Sequence, residues 1–149
     1  MEQRIDFDVA PDAEKPIDAL EKYLAGCGLE RNLLELVKLR VSMLNGCAYC
    51  LDMHWKDARA RDESEQRLYG LGAWREAPYY TDRERAALAW AEAVTRLDVG
   101  HVPDEVYQGA RRYFEEKPLA DLTYAVCAIN TWNRLCVAFR TTAGGYKAR

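Results

Sequence analysis

Apolar residues recur at three- and four-residue intervals along most of the chain, and no stretch alternates with the period of two that marks a half-buried strand. The pattern predicts an all-α fold, a single-domain helical bundle of six to seven helices. Residues 1–14 read as an irregular lead-in. Residues 16–24 place Ile17, Leu20 and Leu24 on one helical face, and Ala25-Gly26-Cys27-Gly28 ends that helix. From 30 to 45, Leu33, Leu34, Leu36, Val37, Leu39, Val41, Met43 and Leu44 cover most of the circumference, the signature of a buried rod. Glu35, Lys38, Ser42 and Asn45 form its one polar stripe, at spacings of three, four and three. A polar stripe is ordinarily a solvent-facing one, and for Lys38 and Ser42 that reading stands beside a functional one.

Asn45-Gly46 breaks the rod, with Asn45 as an N-cap for a second helix that starts near Cys47 and runs to about residue 61. A short helix follows at 64–72. Thr81-Asp82-Arg83-Glu84 is a capping-box sequence opening an Ala-rich helix to 97. Residues 99–103 form a turn, Pro103 suits the first position of a helix to about 114, and the longest helix spans 118–140. In that last helix Leu119, Leu122, Val126, Ile129, Trp132, Cys136 and Phe139 make one long apolar stripe, interrupted by a polar cluster of Asn130, Asn133 and Arg134. Residues 141–149, with Gly144-Gly145, should form a flexible tail to a domain that takes in the whole of 1–149.

At 149 residues the chain is long enough for one domain with a core of its own. A hydrophobic content of 49%, a charged content of 30% and a net charge of −3 exclude a disordered chain. Acids and bases are interspersed, so neither nucleic acid nor a membrane surface is an expected partner. No apolar run approaches the roughly 20 residues that span a bilayer. The acidic start lacks the order of a signal peptide, which makes the cytoplasm the expected compartment. Thiols are kept reduced there, so a CxxC points to redox chemistry or metal binding rather than to a structural staple.

Such a motif is present. Cys47-Ala48-Tyr49-Cys50 is followed by His54, and Glu35 lies twelve positions before Cys47. A cysteine in the first turn of a helix meets free backbone N–H groups and the positive end of the helix dipole, both of which favour the thiolate. Cys50 and His54 stand one turn apart, so the imidazole can take the thiol proton. A carboxylate would oppose a nearby thiolate by charge, which limits Glu35 to accepting protons or orienting His54. Met53 and Trp55 are expected to cover the site. Three readings follow: a dithiol catalyst, a zinc site of Cys47, Cys50 and His54 completed by His101 or water, and cysteines incidental to packing. Cys127 and Cys136, nine positions apart in one helix, face opposite ways and read as small core residues; Cys27, between two glycines, reads as a buried or neutral loop residue, and His101 as an exposed loop histidine.

Glu35, eleven residues, Cys47, two residues, Cys50, three residues and His54 together resemble the E-x11-C-x2-C-x3-H signature of alkylhydroperoxidase AhpD-like proteins, within the carboxymuconolactone decarboxylase superfamily. LVKLRVSMLNGCAYCLDMH and INTWNRLCVAFR also resemble its small core-domain members, and the likeness runs from about residue 18 to residue 140. The resemblance implies a thiol-dependent peroxidase acting on organic hydroperoxides or peroxynitrite. In it Cys50 would be the peroxidatic cysteine, Cys47 its resolving partner and proton donor, and Glu35 and His54 the proton relay. It implies no metal and no bound cofactor, an external dithiol reductant or adaptor protein, and a homo-oligomer, trimer or hexamer. Decarboxylation is not implied, since the decarboxylase branch lacks the cysteine pair. Tyr49 stands where the founding member has a further histidine of the relay, and a phenol is a poor base at neutral pH. The alternative is a dithiol redox adaptor or sensor that exchanges disulfides with a partner protein.

Overall fold

A computed structural model describes residues 2–98 and 100–148. Among them it contains seven α-helices and no strand: α1 (Pro11–Ala25), α2 (Arg31–Asn45), α3 (Ala48–Ala60), α4 (Glu65–Gly70), α5 (Asp82–Thr95), α6 (Asp104–Arg111) and α7 (Glu116–Phe139). Single turns of 3₁₀ helix lie at Phe7–Val9 and Leu71–Ala73.

The bundle is built around α2, which packs against α3, α5 and α7. This is why so little of its circumference is polar. Leu33, Leu34, Val37 and Val41 join a core with Ala87, Trp90 and Ala91 of α5 and Leu122, Val126 and Ile129 of α7. Leu36 and Leu39 enter a second core with Ala58, Leu68, Leu71, Trp74 and Leu88. Leu36, Val37, Leu39 and Val41 are each fully buried, worth roughly 1.5–3 kcal/mol apiece relative to exposure.

The polar stripe of α2 is no solvent face. Ser42 is fully buried and accepts a hydrogen bond from Asn133 Nδ2 at 3.0 Å. Asn45 Nδ2 donates to Asn130 Oδ1 at 3.0 Å and to Asn133 Oδ1 at 2.9 Å. Lys38 is buried against Glu21 of α1. The stripe therefore meets polar groups of α1, α3 and α7, and the α7 asparagines that interrupt the apolar stripe are its partners.

Several boundaries differ from the sequence pattern. Helix α1 begins at Pro11 rather than 16, because a proline at the first helical position loses no hydrogen bond and Asp12 and Glu14 suit the helix start. The lead-in is ordered: Arg4 N donates to Phe139 O at 2.8 Å, and the Phe7 ring packs on Trp132 and Phe139. Thr81 and Glu84 form the reciprocal capping box that the sequence predicts. Helix α5 stops at Thr95, leaving Leu97 exposed, and Pro103 is the N-cap of α6 rather than its first residue. Val99, in the expected turn at 99–103, lies outside the described residues.

Where glycines point to a mobile tail, residues 141–148 run across α3. Gly144 N donates to Asp52 at 3.1 Å, Lys56 Nζ donates to the carbonyls of Gly144 and Tyr146 at 3.1 and 3.0 Å, and the Tyr146 hydroxyl donates to Asp57 at 2.9 Å. Three polar residues of α3 supply the partners. Among the described residues, no helix is long and apolar enough to cross a membrane.

Candidate active site

Gly46 turns the chain out of α2 in the left-handed region, φ 66°, where a side chain would be strained. Cys47 N then donates to Ser42 O at 3.1 Å. The turn sets Cys47, not Asn45, as the N-cap of α3: Cys47 Sγ accepts from Cys50 N at 3.3 Å. Asn45 is instead the last residue of α2, committed to the asparagines of α7. Cys47 and Cys50 are joined as a disulfide with Cα atoms 5.4 Å apart, and each is 1% exposed. On reduction, the same N–H and the helix end favour a thiolate at Cys47.

His54 is buried one turn further along α3, and Glu35 reaches it from α2. His54 Nδ1 and Glu35 Oε2 are 2.8 Å apart. A carboxylate can only accept, so this contact assigns the ring proton to Nδ1 and leaves Nε2 as the basic nitrogen. Burial works to raise the Glu35 carboxyl. The hydrogen bond and charge of His54, with Lys38 and Arg61 behind it, prevail and hold it below the ordinary carboxylate value. Arg61 Nη1 lies 3.4 Å from the second oxygen.

Cys50, His54 and Glu35 open on one cavity of about 570 Å³, walled by Tyr49, Met53, Trp132 and Tyr146 among others. Trp55 is not part of this cover; it packs toward Leu36 and Leu39 in the second core. Glu14, Asp18, Glu21, Glu35 and Asp57 all line the cavity, against one lysine, Lys38, itself paired with Glu21. Cys47 faces a second cavity of about 430 Å³, bounded by Tyr49, Arg140 and residues 141–143. Tyr49 borders both.

The donors that stand close enough for a metal differ from the set expected for zinc. Among the described residues, one group is Glu35, His54 and Asp57 and the other is Cys47, Cys50 and Cys136, with ligand atoms mutually within 4.8 Å in each. His54 does not join the sulfurs, and His101 is exposed in a loop at φ 59°.

Two neighbours of the site escape the sequence reading. Asp57 lies three residues after His54, a spacing that puts both on one face of α3 and was available as a signal. Cys136 is buried, as expected of a core residue, but its sulfur lies against the Cys47–Cys50 pair. Burial pushes its thiol up, with the Thr141 side chain acting the other way. Cys127 is exposed rather than in the core, and Cys27 is half-buried.

An all-α bundle with a buried CxxC beside a Glu–His pair defines an AhpD-like protein, and the comparisons agree. The carboxymuconolactone decarboxylase family model matches residues 11–93. YdfG of Bacillus subtilis, an uncharacterized protein, is 41% identical over 144 residues, covering 96% of this chain and 98% of YdfG. The crystal structure of ATU0492 from Agrobacterium tumefaciens, described as a candidate antioxidant-defence protein AhpD, superposes with a TM-score of 0.94 at 41% identity, over 97% of this chain and 100% of that one. The debrominase Bmp8 shares the fold alone, with a TM-score of 0.81 at 21% identity over 93% of this chain and 74% of that one. The chain belongs to the carboxymuconolactone decarboxylase family, with an AhpD-like core.

Proposed function

We propose that the protein is a thiol-dependent peroxidase that reduces organic hydroperoxides through Cys47 and Cys50. The observation that carries this reading is the His54–Glu35 pair, with His54 buried and both residues opening on the same cavity as Cys50. His54 Nε2 takes the Cys50 proton, and Glu35 stabilises the imidazolium that forms. The thiolate attacks the outer peroxide oxygen, the O–O bond breaks, and the alkoxide takes the proton back from His54 to leave as an alcohol. Cys50 is then a sulfenic acid. Cys47 displaces its oxygen as water and forms the disulfide, the state represented in this structure. An external dithiol restores both thiols. The description of ATU0492 as an AhpD-type protein supports the same activity.

The cavity also bears on substrate charge. Five carboxylates and one paired lysine make an anion unwelcome, which favours a neutral alkyl hydroperoxide over the peroxynitrite anion. The test is stopped-flow oxidation of the reduced protein by cumene hydroperoxide, with mass analysis of the product. Formation of the Cys47–Cys50 disulfide, lost in Cys50→Ser, is the expected result. Reduced protein that remains a dithiol in excess hydroperoxide would overturn the reading in favour of disulfide exchange with a partner protein.

A further inference from the structure

We propose that Cys136 is a third redox thiol, which takes over the Cys47–Cys50 disulfide by internal exchange. Its place in the fold makes the case. It comes from α7, 86 residues beyond Cys50, yet its sulfur lies within 4.8 Å of both sulfurs of the pair. All three cysteines are at most 5% exposed, so the three sulfurs form one buried cluster. It also borders both cavities, the one shared with Cys50 and the one shared with Cys47. Packing alone does not require a cysteine where these two spaces and the disulfide meet.

The exchange balances without any other reactant. The Cys136 sulfur attacks Cys50 Sγ, the Cys50–Cys136 bond forms, and the Cys47–Cys50 bond breaks. Cys47 leaves as a thiolate and receives the proton that Cys136 gives up, so no net oxidation occurs. Cys47 is the better leaving group, because its sulfur already accepts the Cys50 N–H at the start of α3, and a stabilised thiolate departs faster. The product staples α3 to α7 and frees a thiol at Cys47, which faces the second cavity. A reductant entering there meets a different group from the hydroperoxide entering at Cys50. The inference rests on the cysteine pair being redox-active, the basis of the proposed function, but not on hydroperoxide being its substrate.

Tryptic fragments distinguish the two disulfides. Cys47 and Cys50 both fall in the fragment 41–56, and Cys136 alone among the cysteines falls in 135–140. The reduced wild-type protein is oxidised with one equivalent of diamide, held at mildly alkaline pH, quenched in acid, alkylated, and digested under acidic handling. The expected result is a cross-linked pair of these fragments with the alkyl label on Cys47, lost in Cys136→Ser. Because Cys136→Ser perturbs a buried site, Cys47→Ser is run beside it; there diamide should join Cys50 to Cys136 within one chain. Wild-type protein that yields only the internally bonded 41–56 fragment, or Cys47→Ser in which Cys50 and Cys136 both stay free thiols, overturns the proposal. Since diamide oxidises thiols directly, a protein inert to hydroperoxide can still pass this test, and an active peroxidase can still fail it.

Discussion

Glu35 and His54 are nineteen residues apart and on different helices, yet they meet through a single contact of 2.8 Å inside the bundle. The contact ties the helix at the centre of the fold to the helix that begins with the cysteine pair. Removing the imidazole should therefore slow thiol oxidation without unseating the cysteines. His54→Ala is expected to lower the rate of oxidation by cumene hydroperoxide by ~10²–10⁴-fold near neutral pH. The deficit should narrow as the pH approaches about 8.5, where an unassisted thiol ionises by itself. A pH-rate profile of both proteins measures this, and a deficit constant with pH would argue against a proton-transfer role.

Glu35 makes a separate prediction about stability. Its folded-state pKa is held below the ordinary value, so it stabilises the fold above that ordinary value, about 4.3 for a glutamate, and loses the contribution as pH falls through the folded value. Glu35→Gln lacks the titration. The stability gap between wild type and Glu35→Gln should be largest at neutral pH and shrink in acid. Urea unfolding of both proteins across the acid range checks the sign.

Asn133 is fully buried and serves Ser42 and Asn45 at once. Asn133→Leu leaves both without that partner, though Asn45 keeps its bond to Asn130. The expected loss is ~1–3 kcal/mol for each group left unsatisfied in the interior, read as a fall in the urea midpoint. Since Asn45 precedes the Gly46 turn, oxidation of the cysteine pair should also slow.

The docked tail is open to direct measurement. Asp52 accepts from Gly144 N and pairs with Lys56, which in turn holds the Gly144 and Tyr146 carbonyls. Asp52→Ala should accelerate amide hydrogen exchange over 142–148 while leaving α2 and α7 unchanged. Equal exchange in the two proteins would mean that the strap is open most of the time.

Much of this molecule can be read from its sequence, and the limit falls at a consistent place. The helices came from periodicity, and the Thr81–Glu84 box and Gly46 break from local chemistry, because these signals act within a turn or two. Glu35, Cys47, Cys50 and His54 were legible from spacing, and the structure brings Glu35 to His54 and both, with Cys50, to one cavity; their catalytic roles remain the proposal made above. What escaped depends on pairings between distant helices. Ser42 and Lys38 give no local sign of being buried, since their partners Asn133 and Glu21 lie on other helices. Cys136 has the same spacing as any core residue until the fold carries it to the disulfide. The tail looked mobile because its glycines are local, whereas Asp52, Lys56 and Asp57 that hold it are about ninety residues away.

Cys47 has two places in one sulfur, half of a disulfide and the cap of a helix. A disulfide spanning so short a loop is worth ~2 kcal/mol in chain entropy. For a chain of this size that corresponds to several degrees of melting temperature, at about 2–4 °C per kcal/mol. Reduction removes the bond but leaves the Cys47 sulfur at the N-cap of α3. The protein thus carries its own redox thermometer: a label-free thermal melt, repeated in buffers of graded thiol–disulfide ratio, reports the potential of the pair with no substrate present.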